Sequence, residues 1–261
     1  MTRTTKQPTE KTTHFGFETV PTAAKAGRVR AVFDAVAPRY DVMNDLMSVG
    51  VHRLWKNAMV DWMAPQPGWR IVDVAGGTGD IALRQAKRMG LKSCAPNTGH
   101  ITVCDINQAM LEQGRDKSID QGYLQGLEWV TGDAEHLPFP DMSYDAYSIA
   151  FGLRNVTGIE LALAEAYRVL KPGGRFLCLE FSHVTVPGLG KLYDAYSFAV
   201  LPRLGQAVAG DGDAYKYLAE SIRQFPDQDH LAGLMTAAGF GQVSHRNLSG
   251  GIAAMHSGWR L

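Results

Sequence analysis

The residues best suited to chemistry lie together where an apolar run meets a glycine-rich turn. Asp73 lies within the apolar run, Gly77, Thr78 and Gly79 form the turn, and Asp80 follows it. Glycine has no Cβ and tolerates positive φ, so such a turn allows the backbone to approach a ligand closely. The helix expected after the turn presents free N–H groups at its first residues. The segment therefore predicts a cofactor-binding loop.

Two kinds of cofactor fit this loop, and the charges beside it distinguish them. The segment from Gly77 to Ala82 matches the loose dinucleotide pattern G-x-G-x-x-A. A dinucleotide would place its pyrophosphate at the helix N-terminus, where Asp80 would repel it. Asp73 adds a second carboxylate beneath the same loop, which favours a cofactor with a cationic end, such as S-adenosylmethionine. The alternative is that Asp80 only stabilises the first turn of the helix.

The elements that must position this loop alternate between strand and helix patterns after Gly68. Such alternation predicts an α/β fold with a parallel sheet and helices on both faces. Thr157, with Glu160 after it, has the pattern of a capping box before the last of these helices. The predicted strands are Arg70–Ala75, His100–Asp105, Leu127–Thr131, Tyr144–Phe151 and Arg175–Phe181, and the predicted helices are Asp80–Met89, Gln108–Gln121 and Gly158–Leu170.

The flanking segments predict further elements. Residues 23–67 have a helical pattern that ends in a stretch rich in proline and glycine, and we predict an N-terminal helical cap. Residues 184–225 are too long for a connecting loop and too apolar for a linker, so we predict a helical insert over the substrate site. Two short strands, 243–248 and 252–256, flank Ser249-Gly250-Gly251 and predict an antiparallel hairpin.

Composition limits the classes of function. The 261 residues accommodate a single domain, 23–261, after a disordered tail, 1–22. The 26 basic and 26 acidic side chains cancel, which argues against a nucleic acid partner. Three cysteines without C-x-x-C pairing indicate a reducing compartment, and eight histidines without ligand spacing predict no metal. No apolar run could cross a bilayer, and Met1 to His14 has no apolar signal core, so we expect a cytoplasmic protein.

Several separated segments carry a resemblance to a known family. The chain resembles the Class I S-adenosylmethionine-dependent methyltransferases and, more narrowly, the UbiE/MenG family of quinone C-methyltransferases. This resemblance implies a Rossmann-like fold whose mostly parallel seven-stranded sheet ends in an antiparallel hairpin. It also implies methylation of a ring carbon of a polyprenylated benzoquinol or of demethylmenaquinol. The segments are FDAVAPRYDVMNDLMSVGVHRLWK from Phe33, DVAGGTGDI from Asp73, FGLRNV from Phe151, RVLKPGGRFLCLEFS from Arg168, YLAESIRQFPDQ from Tyr217 and NLSGGI from Asn247.

The resemblance implies S-adenosyl-L-methionine as the cofactor and a set of residues that bind it. Asp105 ends the second strand of the alternating region, where a carboxylate can accept both ribose hydroxyls, although a helix N-terminal acid is the alternative. Asp133 is expected to accept a hydrogen bond from the adenine amine, and its alternative is a turn aspartate. The complete predicted set is Asp73, Gly77, Thr78, Gly79, Asp105, Ile106, Asp133 and Ala134.

The same resemblance implies catalytic roles for Arg154, Asn155 and Tyr40. Arginine is protonated at all relevant pH values, so it is a poor proton acceptor. We therefore expect Arg154, oriented by Asn155, to stabilise the phenolate that forms when the quinol loses a proton. Water or Tyr40 would relay that proton. The alternatives are a structural ion pair for Arg154 and an aromatic packing or lid residue for Tyr40.

The expected partners are a polyprenylated quinol, the inner face of a membrane, and either a second copy of the chain or a biosynthetic complex. The aromatic side chains of the predicted insert would line a channel for the isoprenoid tail or touch the membrane. Ordinary helix packing is the alternative. Three other functions remain open: a methyltransferase for another small aromatic, nucleic acid or protein acceptor, a nicotinamide-dependent oxidoreductase, and a non-catalytic cofactor-binding subunit.

Overall fold

The structure is a computed structural model that describes residues 12–36, 45, 48, 50–92, 99–200, 203, 206 and 212–261. Strands β1 to β9 are Thr12–Phe15, Glu18–Pro21, Arg70–Val74, His100–Asp105, Leu127–Thr131, Tyr144–Ala150, Leu170–Phe181, Gly241–Leu248 and Ala253–Trp259. Helices α1 to α8 are Thr22–Val36, His52–Met63, Asp80–Met89, Gln108–Asp120, Ile159–Val169, Leu189–Ala195, Gly212–Gln224 and Gln228–Ala237. A π-helical turn, Tyr196–Val200, follows α6.

A seven-stranded sheet with the order β5-β4-β3-β6-β7-β9-β8 organises these elements. The five strands from β5 to β7 pair in parallel, and β9 is antiparallel to both of its neighbours. This confirms the predicted α/β, Rossmann-like sheet with its C-terminal antiparallel hairpin. Parallel strands place their carboxyl ends at one edge, where open sheets of this kind bind ligands.

Side chains along the central strands point alternately to the two faces of the sheet, so each face has its own apolar core. On β3, Ile71 and Val72 are both fully buried, but they belong to separate apolar clusters on opposite faces. The first cluster includes Met59 of α2, and the second includes Leu163 of α5. A strand that is buried on both faces reads as a continuous apolar run, which is why the sequence revealed these strands clearly.

The start of α5 and the strand after it differ in detail from the prediction. The capping box is not formed, because the N-cap residue is Gly158 and the Thr157 N–H donates to Glu135 Oε1. Strand β7 begins directly at Leu170, although we predicted its start at Arg175. The register shifts between the Leu170 and Arg175 pairings, so the intervening Lys-Pro-Gly-Gly is accommodated as an irregularity within the strand.

The predicted disordered tail is wrong for residues 12–21, which form an antiparallel hairpin of β1 and β2. Its stability comes from distant contacts, which local composition does not reveal. The Phe15 ring stacks on Tyr217 of α7 with ring centroids 4.3 Å apart, and the Phe17 N–H donates to Glu220 Oε2 at 3.1 Å. The hairpin therefore packs against α7, within the range predicted as a helical insert.

None of the helices that the structure describes is long and apolar enough to cross a bilayer. The range 184–225 contains α6, the π-helical turn and α7 among its described residues. Tyr193 and Tyr217 from this range are buried, whereas the Phe198 side chain is 42% exposed. The segment thus contributes both to the packed interior and to the surface.

Candidate active site

One cavity opens at the carboxyl edge of the sheet, beside the ends of β3, β4, β5 and β6. Its empty volume, with the open mouth included, is about 1170 Å³. It contains seven of the eight residues predicted to bind the cofactor, the exception being Gly79. These residues, which lie on separate strand ends, are Asp73, Gly77, Thr78, Asp105, Ile106, Asp133 and Ala134.

The glycine loop fits closely against its neighbours. A Cβ on Gly76 would lie 2.6 Å from Val103 Cγ1, and Gly77 has φ +54°. The Gly77 N–H donates to Asp105 Oδ2 at 2.8 Å, and the Asn107 N–H donates to Oδ1 of the same carboxylate at 2.9 Å. The loop and the end of β4 therefore hold Asp105 in a fixed position at the cavity.

Burial raises the pKa of Asp105, and the backbone N–H groups of Asn107 and Gly77 partly offset that rise. The N–H groups of Gly77 and Asn107 donate to different oxygens of this carboxylate, and a carboxylate offers about four acceptor positions. Two ribose hydroxyls are donors of the right kind for such a carboxylate. The chemistry of Asp105 therefore fits an adenosyl ribose.

Asp73 is the clearest sign of a bound cation. Its side chain is buried, and its Oδ1 accepts a hydrogen bond of 2.6 Å from Ser148 Oγ, which in turn accepts one of 3.0 Å from Gln85 Nε2. Its Oδ2 has no hydrogen-bond partner among the described residues. Burial raises the pKa of Asp73 to about 7, against the opposing effects of the Ser148 hydroxyl and of the Ala82 backbone N–H. Because a buried acceptor without a donor is unfavourable, an ammonium group fits this position.

The structure corrects our interpretation of Asp80. Lys56 Nζ of α2 donates to Asp80 Oδ2 at 2.8 Å, and Arg84 Nε donates to Oδ1 at 3.1 Å. Burial opposes ionisation of Asp80, but Lys56 and Arg84 outweigh that effect and lower its pKa to about 2. The charge of Asp80 is therefore already compensated, so Asp73 alone carries the argument for a cationic cofactor end.

Asp133, Ala134 and Ile106 line the part of the cavity beside β4 and β5. The Asp133 side chain is 45% exposed, and its Oδ1 accepts a hydrogen bond of 2.9 Å from the Glu135 N–H. Both the turn role and the adenine role predicted for Asp133 are compatible with this geometry, because Oδ1 retains a lone pair.

Gly79 is the N-cap of α3 with φ 74°, and a Cβ on it would lie 2.5 Å from Trp129 Cη2. A glycine is therefore needed at position 79 for the backbone conformation and for packing, and Gly79 does not line the cavity. Tyr40 lies outside the described residues, so its proposed role stays a prediction.

Arg154 lies behind the cavity wall. Its side chain and that of Glu180 are each 1% exposed, and Arg154 Nη1 donates to Glu180 Oε1 at 2.7 Å and to the Phe151 carbonyl at 2.6 Å. Arg154 Nε and Nη2 have no hydrogen-bond partner in the described part of the chain. Burial raises the pKa of Glu180, and the Arg154 charge opposes that rise.

Asn155 does line the cavity, but it does not orient Arg154 as we expected. Its Nδ2 donates to the Phe151 carbonyl at 3.4 Å, and its Oδ1 accepts a hydrogen bond of 3.2 Å from the Tyr217 hydroxyl. Glu180 performs the orienting role instead, because it contacts both the backbone N–H and the guanidinium of Arg154. The hairpin reaches this wall through the stack of Phe15 on Tyr217.

Sequence reasoning missed three contributors to the site: Lys56, Glu180 and the Ser148–Gln85 pair. Both Lys56 and Glu180 are buried, but only Glu180 lies within an otherwise apolar run, residues 176–181. A charged residue is rarely buried without a partner, so that pattern was a usable signal. Their partners lie in other elements and could not be named from the sequence.

The order of the sheet and a cofactor cavity at the carboxyl ends of its central strands define a Rossmann-like methyltransferase fold. A SAM-dependent methyltransferase from Thermotoga maritima shares it, with a TM-score of 0.62 and 22% identity over 89% of this chain and 100% of that one.

Sequence comparison is more specific than the fold. The pattern of the ubiE/COQ5 methyltransferase family matches residues 21–260, so the chain belongs to that family. It is 58% identical to the ubiquinone/menaquinone biosynthesis C-methyltransferase UbiE of Ruegeria sp. strain TM1040, over 98% of this chain and 99% of that one. It is 56% identical to the protein of the same name from Brucella abortus strain S19, over 95% and 90%. The chain is a methyltransferase with S-adenosyl-L-methionine as its cofactor.

Proposed function

We propose that this chain methylates a ring carbon of a polyprenylated quinol in ubiquinone and menaquinone biosynthesis, with S-adenosyl-L-methionine as the methyl donor. The observation that carries the proposal is the family match across residues 21–260, combined with a cavity whose buried Asp73 Oδ2 is without a partner in the described residues. The relatives at 56% and 58% identity carry the name of a C-methyltransferase of that pathway.

The cofactor supplies an electrophilic methyl group on its sulfonium. The quinol becomes nucleophilic at a ring carbon when a phenolic O–H loses its proton. The new C–C bond then forms as the S–C bond breaks, and loss of the ring C–H proton together with return of one proton to the oxygen restores the aromatic quinol. The products are the methylated quinol, S-adenosylhomocysteine and one proton. The task of the protein is to position the two reactants and to stabilise the phenolate.

Arg154 is our candidate for the phenolate contact, and this role requires the cavity wall in front of it to open when the quinol binds, because its side chain is 1% exposed and does not line the cavity. Its two nitrogens without partners in the described residues, Nε and Nη2, carry three buried N–H donors, and such donors call for an acceptor. A phenolate oxygen is a suitable acceptor for a planar guanidinium. Glu180 fixes the guanidinium on its other side. Burial raises the pKa of Tyr217 to about 12 and that of Tyr193 to about 12, so neither tyrosine is a base at neutral pH.

The direct test supplies purified protein with labelled methyl donor and with reduced benzoquinol and naphthoquinol acceptors that carry the same short prenyl tail. We expect label on a ring carbon and a measurable kcat/KM for at least one acceptor. Substitution of Arg154 by Lys keeps the charge but loses the planar donors, and we expect kcat to fall. Methyl transfer to an oxygen, or to neither quinol, would contradict the proposal.

We also propose contact with a membrane surface, because a polyprenylated quinol partitions into lipid. Phe17 and Phe198 are 55% and 42% exposed and stack with ring centroids 6.3 Å apart. Aromatic side chains of this kind anchor peripheral proteins at the lipid interface. Binding to anionic vesicles should fall when both residues are replaced by Ser. The same change at Leu124, which is 77% exposed, is the matched control. Equal binding by both variants would refute the assignment.

A further inference from the structure

A buried lysine faces the cavity beside Asp73, and its charge has no role in the function described so far. Lys56 is 4% exposed, yet it is among the residues that line the cavity. Its Nζ donates to Asp80 Oδ2, and its charge lies 6.0 Å from the centroid of the Phe151 ring, which lines the same cavity. Lysine carries three donor hydrogens, so this contact with Asp80 leaves capacity for an anion.

The charges around Lys56 favour such an anion. Asp80 lies between two cations, Lys56 and Arg84, so the three side chains together carry one net positive charge. Asp80 is also close enough to Asp73 to contribute to the pKa of that residue. The cavity therefore places an acceptor for a cation and a donor for an anion near one another.

An α-amino acid group has the complementary pattern, because its ammonium and carboxylate are attached to one carbon. We propose that Lys56 binds the carboxylate of the cofactor's methionine end while Asp73 binds the ammonium; this rests on the proposed function. Arg30 is a second cation in the cavity lining, but it is exposed, so water and salt screen its charge. Burial makes Lys56 the stronger contact.

The test measures binding rather than turnover, with three ligands that differ only in the amino acid end. These are S-adenosylhomocysteine, its analogue without the carboxylate and its analogue without the amine. Calorimetric titration gives the dissociation constant of each ligand with the wild-type chain and with Lys56→Met. We expect the variant to lose about 10- to 100-fold in affinity for both ligands that keep the carboxylate. Its affinity for the ligand without the carboxylate should change by less than about threefold.

Arg84→Met is the matched control, because it removes the other cation from Asp80 without touching the cavity lining. It should weaken all three ligands equally or not at all. Lys56→Arg keeps a cation at the site and should keep most of the preference for the carboxylate. Thermal unfolding of each variant reports its folding, and the ratio of two dissociation constants within one variant is independent of the folded fraction.

The outcomes separate this inference from the proposed function. If the wild-type chain does not bind S-adenosylhomocysteine, the proposed function fails and the role of Lys56 fails with it. If the wild-type chain binds it but Lys56→Met weakens all three ligands by the same factor, only the role of Lys56 is overturned. Equal loss of carboxylate preference in Arg84→Met would also overturn it, because the effect would then belong to Asp80.

Discussion

Substitutions in the buried pair of Arg154 and Glu180 can distinguish a structural role of Arg154 from a role in catalysis. Arg154→Met leaves the Glu180 carboxylate at 1% exposure with backbone donors only. Removing one partner of a buried ion pair typically costs about 3–5 kcal/mol, because the remaining charge stays desolvated. That is a large share of the stability of a typical domain, about 5–15 kcal/mol. We therefore expect Arg154→Met to unfold at much lower denaturant concentration than the wild-type chain.

The loss of unfolding free energy in Arg154→Met should depend on pH in a defined direction. Without Arg154, burial raises the pKa of Glu180 further, so the folded variant holds this proton to higher pH than the unfolded chain, whose glutamate pKa is about 4.3. The folded state then binds more protons, so the unfolding free energy of the variant decreases as the pH rises above that value. The deficit should be smaller at pH 5 than at pH 8. Glu180→Gln cannot titrate, so its deficit should lack this trend.

The double variant Arg154→Met, Glu180→Leu tests whether Arg154 has a role in catalysis beyond its role in stability. It replaces both charges by apolar groups, which commonly restores stability. If Arg154 also stabilises the phenolate, the refolded double variant should still lose about 3 kcal/mol of transition-state stabilisation, a decrease in kcat of about 100-fold or more. Denaturant titration and steady-state kinetics on the same sample measure both quantities. A stable double variant with normal kcat would show that the pair is structural and would refute our assignment of Arg154.

Three further predictions follow from other parts of the site. Because the ammonium requires an ionised Asp73, and the pKa of that residue is about 7, calorimetric affinity for S-adenosylhomocysteine should fall below pH 7, and Asp73→Asn should abolish this dependence. Gly79→Ala should lower the unfolding free energy by about 1–3 kcal/mol more than Gly122→Ala, because both have positive φ but only the Gly79 Cβ would meet a neighbour; equal losses would contradict the packing argument. Phe15→Ala removes the stack on Tyr217, so the KM for quinol should rise while the dissociation constant of S-adenosylhomocysteine stays constant. A parallel loss of cofactor affinity would argue against a role of the hairpin in the wall of the substrate site.

The sequence revealed the central strands β3, β4 and β6 well because they are buried on both faces. Predicted and observed bounds agree for His100–Asp105, Leu127–Thr131 and Asp80–Met89. The cofactor loop was equally visible, because glycines at fixed positions report backbone conformation directly. These features depend on residues that are neighbours in the chain.

Features that depend on distant residues could not be predicted. The sequence showed Asp80 as a free carboxylate because its partner Lys56 lies on another helix. It indicated that residues 12–21 belong to a disordered tail, because the contact that holds them, Phe15 on Tyr217, joins residues that are far apart in the chain. The orientation of Arg154 was assigned to the adjacent Asn155, whereas the charge that fixes it comes from Glu180 on a different strand. In each case an ionic or aromatic partner was missing from the local pattern.

The position of β9 has a consequence for the order in which the chain can fold. This strand is the last in sequence, but it lies between β7 and β8 in the sheet. During synthesis, β8 therefore has no sheet neighbour until β9 has emerged, and β7 presents an open edge until the same moment. Open edges are sites of wrong pairing between chains. The nascent protein is thus expected to keep an open β7 edge, a site of wrong pairing, until Ala253–Trp259 inserts.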